Sequence, residues 1–231
     1  MIKVFVIASF IFPALALLPA MTVSAQENHE YAKLEEKKID YRDWTFKNLQ
    51  DETPVNLRQW AADKPLVLVV YFATWCPNWR YEAPVVAKLY DKYKAQGLNV
   101  VAVNEYASGK DARAFFGDKG APYTVVVESE RRDAREKTTH YTYRRLTDDK
   151  RNWGSPYNIF LEPAKFLKDG EVLTEKAWVS NGELIEKDAE DFIRVRLGLD
   201  KKTTGDTPQS ATPGSDKSCG CELPLDTIKK P

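Results

Sequence analysis

The sequence predicts an α/β fold in which a central mixed sheet is flanked by helices. Three observations carry that prediction. Residues 65–71 form a short apolar run, largely β-branched or aromatic, as in a strand buried on both faces. Val85, Val86, Leu89 and Tyr93 then recur at helical spacing, and a second apolar run follows at 98–103, so strand, helix and strand make a parallel crossover. Further on, residues 161–167 and 172–179 are expected to close an antiparallel hairpin across the turn Lys168-Asp169-Gly170-Glu171.

The other elements follow in order. Residues 1–25 read as a targeting segment: Lys3 gives the positive start, 4–18 the apolar stretch, and Val23-Ser24-Ala25 a small-residue cleavage site. Residues 26–40 are polar, which suggests a frayed helix or linker, with His29 solvated. Residues 41–49 could be the opening strand, and Asn56 is placed to cap a short helix over 58–62. The helix after the central strand should run to about 96 and stop at Gly97, with a kink at Pro84. A short helix is expected over 111–119, a strand over 123–127 and a last helix over 184–197. Between them, 128–151 is rich in Arg, Lys, Asp, Glu and Thr and reads as an inserted surface excursion, a solvated charged hairpin or helix with His140 on its surface. The domain thus spans 41–199, and 200–231 reads as a flexible tail.

Composition narrows the function. The 231 residues carry 34 Lys and Arg against 34 Asp and Glu, so no global charge points to nucleic acid or to an anionic membrane. After the first segment no apolar run reaches the roughly 18–20 residues of a membrane span. There are three cysteines, an odd count that leaves one thiol unpaired unless it pairs between molecules.

The chemistry concentrates at Phe72-Ala73-Thr74-Trp75-Cys76-Pro77-Asn78-Trp79-Arg80-Tyr81-Glu82-Ala83-Pro84. Cys76 falls where the buried strand ends and the helix begins, and Pro77 suits the first helical position. Unpaired backbone N–H groups and the positive end of the helix dipole favour a thiolate there, the reactive form of cysteine. The bland reading is a small buried hydrophobe; the strand-to-helix junction suits that less.

This segment resembles the active-site segment of thioredoxin-like proteins of the TlpA/ResA type. The resemblance implies a thioredoxin-like fold and thiol–disulfide chemistry, with Cys76 as the attacking cysteine. It departs where the family has its resolving cysteine: Trp79 stands there, giving Cys-Pro-Asn-Trp. It also implies a cis Pro156 against Cys76, within Trp153-Gly154-Ser155-Pro156-Tyr157, leaving the backbone of Ser155 to pair with an extended substrate. Glu82 becomes the candidate buried carboxylate for proton handling, with an ordinary surface carboxylate as the rival. Trp75, Pro77 and Trp79 would flank the sulfur and shape the contact with substrate.

The tail ends in Cys219-Gly220-Cys221. That pair could close on itself, resolve a disulfide made by Cys76, or bind a soft metal such as Cu(I). The leading expectation is an exported thiol–disulfide protein acting through Cys76 and resolved by Cys219, Cys221 or an external thiol; the resemblance points to the bacterial periplasm. Its partners would be exported protein thiols or disulfides and an unidentified electron donor. No cofactor and no resident metal site is read. A binding or chaperone module for exported partners, with Trp79 and the arginines of 128–151 as its contact surface, is the alternative from another class, and copper handling the weaker third.

Overall fold

The computed structural model describes residues 29–200. The elements run β1 (Tyr31–Ala32), β2 (Glu35–Arg42), β3 (Thr45–Asn48), β4 (Pro54–Asn56), α1 (Leu57–Ala61), β5 (Leu66–Phe72) and α2 (Pro77–Tyr93). They continue with β6 (Leu98–Asn104), α3 (Gly109–Phe116), β7 (Thr124–Val127), α4 (Thr139–Leu146), β8 (Tyr157–Leu161), β9 (Val172–Ser180), β10 (Glu183–Leu184) and α5 (Glu186–Arg196). Among the described residues, eight strands form one sheet in the order β2-β9-β8-β5-β6-β7-β3-β4. Strands β5, β6 and β7 are parallel, while β8 runs antiparallel to β5. The sheet is therefore mixed and flanked by helices, as the sequence predicts.

All seven residues of β5 are buried, because strand alternation hands its side chains to two cores. Leu66, Leu68, Val70 and Phe72 face α2 and α5, packing with Trp79, Val86, Leu89 and Ile193. Val67, Val69 and Tyr71 face α1 and α4, with Leu57, Ala61, Tyr143 and Tyr157. Asn56 caps α1 by accepting from the Gln59 N–H at 3.0 Å. Helix α2 passes through Pro84, and the chain turns out at Gly97, whose φ of 113° is left-handed.

Five expectations are corrected. The stretch 26–40, where described, is not linker or frayed helix: β1 pairs with β10 and β2 pairs with β9. Strand β2 buries Ile39 and Tyr41 and turns its alternate charged residues to water, the composition of a protected sheet edge. The opening strand over 41–49 is broken, because Asp43 and Trp44 separate β2 from β3. The hairpin arm over 161–167 is not a strand; Pro163, which has no N–H for a ladder, starts a 3₁₀ turn over Pro163–Lys165.

The fourth concerns 128–151. This segment holds a 3₁₀ turn over Arg132–Lys137 and helix α4, and it packs onto the sheet instead of standing in solvent. His140, Tyr143 and Arg144 are buried. His140 lies flat on Tyr71, ring centroids 5.1 Å apart at 6°. His29, expected to be solvated, is hydrogen-bonded through Nδ1 to Glu183 at 2.7 Å and stacks on Tyr31. The 1–25 segment and the 200–231 tail lie outside the described residues, apart from Asp200.

Candidate functional site

Cys76 is the N-cap residue of α2, with Pro77 in the first turn. Its backbone N–H donates to Ala73 O at 3.0 Å, and its carbonyl accepts from Arg80 N at 3.3 Å. Cys76 is buried, 8% exposed as a residue. The thiol donates to Ser155 O at 3.0 Å, and Ser155 Oγ accepts from Ala73 N at 2.9 Å. Two bonds thus tie the Ser155 loop to the loop that carries the cysteine. The Ser155–Pro156 peptide is cis and buried. Cys76, Ser155 and Pro156 are brought together, with Pro77 exposed beside them.

Glu82 sits on the α2 stripe that faces the sheet and is 1% exposed. Its Oε2 accepts from Leu184 N at 2.8 Å and from Asn158 Nδ2 at 3.2 Å, whereas Oε1 has no partner. Burial pushes its acid up from 4.5 to about 8, against the Leu184 and Asn158 hydrogen bonds that stabilise the anion. The carboxyl is therefore protonated at neutral pH. Asn158 lies two residues beyond Pro156 in β8, so Glu82 bonds directly to the strand that the cis-proline opens.

The two tryptophans of the motif part company. Trp75 is half-buried beside the sulfur, donating from Nε1 to Tyr106 O at 3.1 Å and meeting Trp153 edge-on at 5.2 Å. Trp79, expected to flank the sulfur and to offer contact surface, is fully buried and corrects that expectation. It packs on Phe72 at 4.6 Å and on Phe115 at 6.0 Å. The reason is helical periodicity: 79, 82, 86, 89 and 93 make one stripe, and all five are buried. Cys219 and Cys221 lie outside the described residues.

Other residues hold the loop before Pro156, and the sequence motifs did not mark them. His140 bridges the Tyr106 hydroxyl through Nδ1 at 3.0 Å and Gly154 O through Nε2 at 3.0 Å. Burial first and the neighbouring Arg144 second hold its ring neutral, with its titration lowered to about 3. Asp149 accepts from Arg144 Nε at 3.0 Å and from Arg151 Nη2 at 2.8 Å, and Arg151 Nη2 also donates to Pro156 O at 2.9 Å. Gly154 has φ +58°, and a Cβ there would lie 1.8 Å from Arg144 Nε. The available signal was the aromatic content of 140–143 at helical spacing, hidden among charges. Glu105, at the end of β6, is also fully buried; burial and then its neighbour Glu128 push its carboxyl well above the usual range.

Comparison with known proteins agrees with this arrangement. Residues 37–183 match the Redoxin family. The thiol-disulfide oxidoreductase ResA of Bacillus subtilis (strain 168) is 32% identical over 65 residues, 28% of this chain and 36% of that protein. ResA of Halalkalibacterium halodurans is 31% identical over 62 residues, 27% and 35% of the two chains. The chain thus spans about a third of the length of these curated relatives. Among solved structures, a thiol:disulfide interchange protein from Bacteroides sp. superposes with a TM-score of 0.52 at 17% identity, covering 74% of this chain and 96% of that one. A secreted thiol-disulfide isomerase from Corynebacterium glutamicum gives 0.51 at 19% identity, over 68% and 85%. These likenesses show the fold, and the Redoxin match with the ResA relatives supports a thioredoxin-like protein of the TlpA/ResA type. With a family match over most of its described length, the chain belongs to the Redoxin family and carries a thioredoxin-like fold.

Proposed function

We propose that the protein is an exported thiol–disulfide exchange protein that acts through the single motif cysteine Cys76. The observation that carries this reading is the cysteine's setting: an N-cap sulfur whose thiol donates to Ser155 O at 3.0 Å, next to Pro156. In the proposed step the Cys76 thiolate attacks one sulfur of a substrate disulfide. That S–S bond breaks, a Cys76–substrate disulfide forms, and the other substrate sulfur leaves as a thiolate that takes up a proton. A second thiol then attacks the Cys76 sulfur, freeing the reduced substrate and leaving Cys76 in a new disulfide. The attacking thiol is Cys219 or Cys221, or an external thiol; an external dithiol must later return the pair to the reduced state. Run backwards, the same steps oxidise a substrate dithiol. Glu82, protonated at neutral pH, holds Asn158 and Leu184 N and is the carboxyl proposed for proton handling.

The reach of the tail supports its part in this reading. The Lys88–Glu186 and Lys92–Glu190 ion pairs show α5 running beside α2 away from Cys76. Helix α2 has 17 residues, about 25 Å of axis. The residues between Asp200 and Cys219 number 18, a contour length of roughly 60 Å if fully extended. Chain length therefore permits the proposed attack by Cys219 or Cys221. The test is turnover of a disulfide substrate by the full chain and by Cys76→Ser: the variant is expected to be inactive, and any residual exchange by it would refute the reading.

A further inference from the structure

Beside the sulfur lies a groove of about 730 Å³. Trp75, Ala114 and Phe115 give it apolar walls, and Arg80, Arg132 and Asp111 give it charge. Arg132 is exposed and stacks on Trp75 with its guanidinium carbon 4.2 Å from the ring centroid. Among the described residues it forms neither a hydrogen bond nor an ion pair. Arg80, in the first turn of α2, spends only the Nε of its side chain, on Thr74 O at 3.3 Å, and has no acidic partner among the described residues. Asp111 is already engaged by the Ser108 hydroxyl at 2.8 Å. Two guanidiniums with spare donors therefore face the groove against one carboxylate, Asp111, and the lining carries a net positive charge. Arg80 and Arg132 line the groove together without an acidic partner among the described residues, whereas Arg131 is paired with Asp133 and Arg194 with Asp200.

We propose that this groove selects the substrate: it takes an extended acidic segment of the client that flanks the disulfide attacked by Cys76. The inference rests on the exchange reaction proposed above and adds the class of substrate to it. Thr74 and Trp75 line the groove and lead directly into Cys76, while Ser155 holds the other side of the sulfur. A polypeptide that crosses the sulfur in extended form carries residues on one side of its cysteine over Arg80 and Arg132. A planar guanidinium takes a carboxylate through two parallel N–H donors, and Arg132 already lies over the indole of Trp75. The apolar walls suit an aliphatic or aromatic residue between the acids.

The test uses the full chain and three peptides that carry the same disulfide between acidic, neutral or basic flanks. Binding is read on the full chain with Cys76→Ser, Cys219→Ser and Cys221→Ser, which has no thiol left to exchange, and turnover on the native chain. The acidic peptide is expected to bind about three- to tenfold tighter than the neutral one at low salt and the basic one more weakly, with the difference shrinking as salt is raised. Arg132→Ala and Arg80→Ala, each added to that triple variant, are expected to reduce that preference. Equal binding of acidic and basic peptides, or a preference that survives both substitutions, overturns the proposal. So does a gain in acidic-peptide affinity on adding Glu222→Gln with Asp226→Asn, since the tail would then be the occupant. Selective binding without any turnover would refute the exchange reaction and leave the groove's charge selection standing.

Discussion

Replacing Glu82 by Gln tests whether a protonated carboxyl lies under the site. Glutamine has the size of the protonated acid and keeps an oxygen for Leu184 N and Asn158 Nδ2, but it cannot ionise. In the native protein the acid titrates near 8 folded and near 4.5 unfolded. The folded state therefore binds more protons between those values, and its stability must fall as pH rises through that window. Each pH unit inside the window is worth about 1.4 kcal/mol, so the group's contribution declines by about 3–4 kcal/mol from about pH 5 to about pH 8 and levels off above. Urea unfolding of both proteins across that range gives the difference directly. The expected result is a Glu82→Gln protein whose advantage over the native chain grows with pH by roughly that amount. Other buried acids such as Glu105 act equally in both proteins and cancel from the difference. Parallel stability curves would refute the assignment of a neutral Glu82.

Three further outcomes are expected. Trp79→Cys rebuilds a two-cysteine motif in sequence but empties a pocket lined by Phe72 and Phe115, so it should cost about 3 kcal/mol in chemical denaturation instead of yielding a sound dithiol protein. Gly154→Ala places a Cβ on Arg144 at a positive φ; a loss of more than about 2 kcal/mol is expected, and a stability equal to the native one would contradict the described loop. His140 works opposite to Glu82: titrating near 3 folded against 6.5 unfolded, it loses stability as pH falls below about 6.5, and His140→Gln should flatten that acid limb in unfolding curves.

How far the sequence carried depended on whether a residue's partners were near it in the chain. Strand β5 was legible because both faces are buried and every residue is apolar. The Asn56 cap and the Gly97 stop were legible because each acts within one helical turn. Cys76 at the strand-to-helix junction and Pro156 beside it were legible from local pattern joined to a family resemblance, and the structure brings them together. Trp79 was misplaced although its stripe with Val86 and Leu89 was present in the sequence, because it was judged from its place in the motif. The packing of helix α4 onto the sheet was missed for a different reason. Composition shows that 128–151 is charged, not that Asp149 neutralises Arg144 and Arg151 or that His140 is held neutral under a sheet. Strand β2 was missed because a half-wet edge strand with lysine and glutamate outward has the composition of a linker.

The most direct test of the central claim is to trap the reaction at Cys76. The full chain carrying Cys219→Ser and Cys221→Ser, and so deprived of its own candidate resolving thiols, would be mixed with a disulfide peptide, quenched with an alkylating agent and mapped by mass spectrometry without reduction. The account predicts a peptide joined to Cys76 by a disulfide, accumulating in this variant and cleared when an external thiol is added. An alkylated, unmodified Cys76 under conditions where the peptide disulfide is exchanged by a free thiol would contradict it.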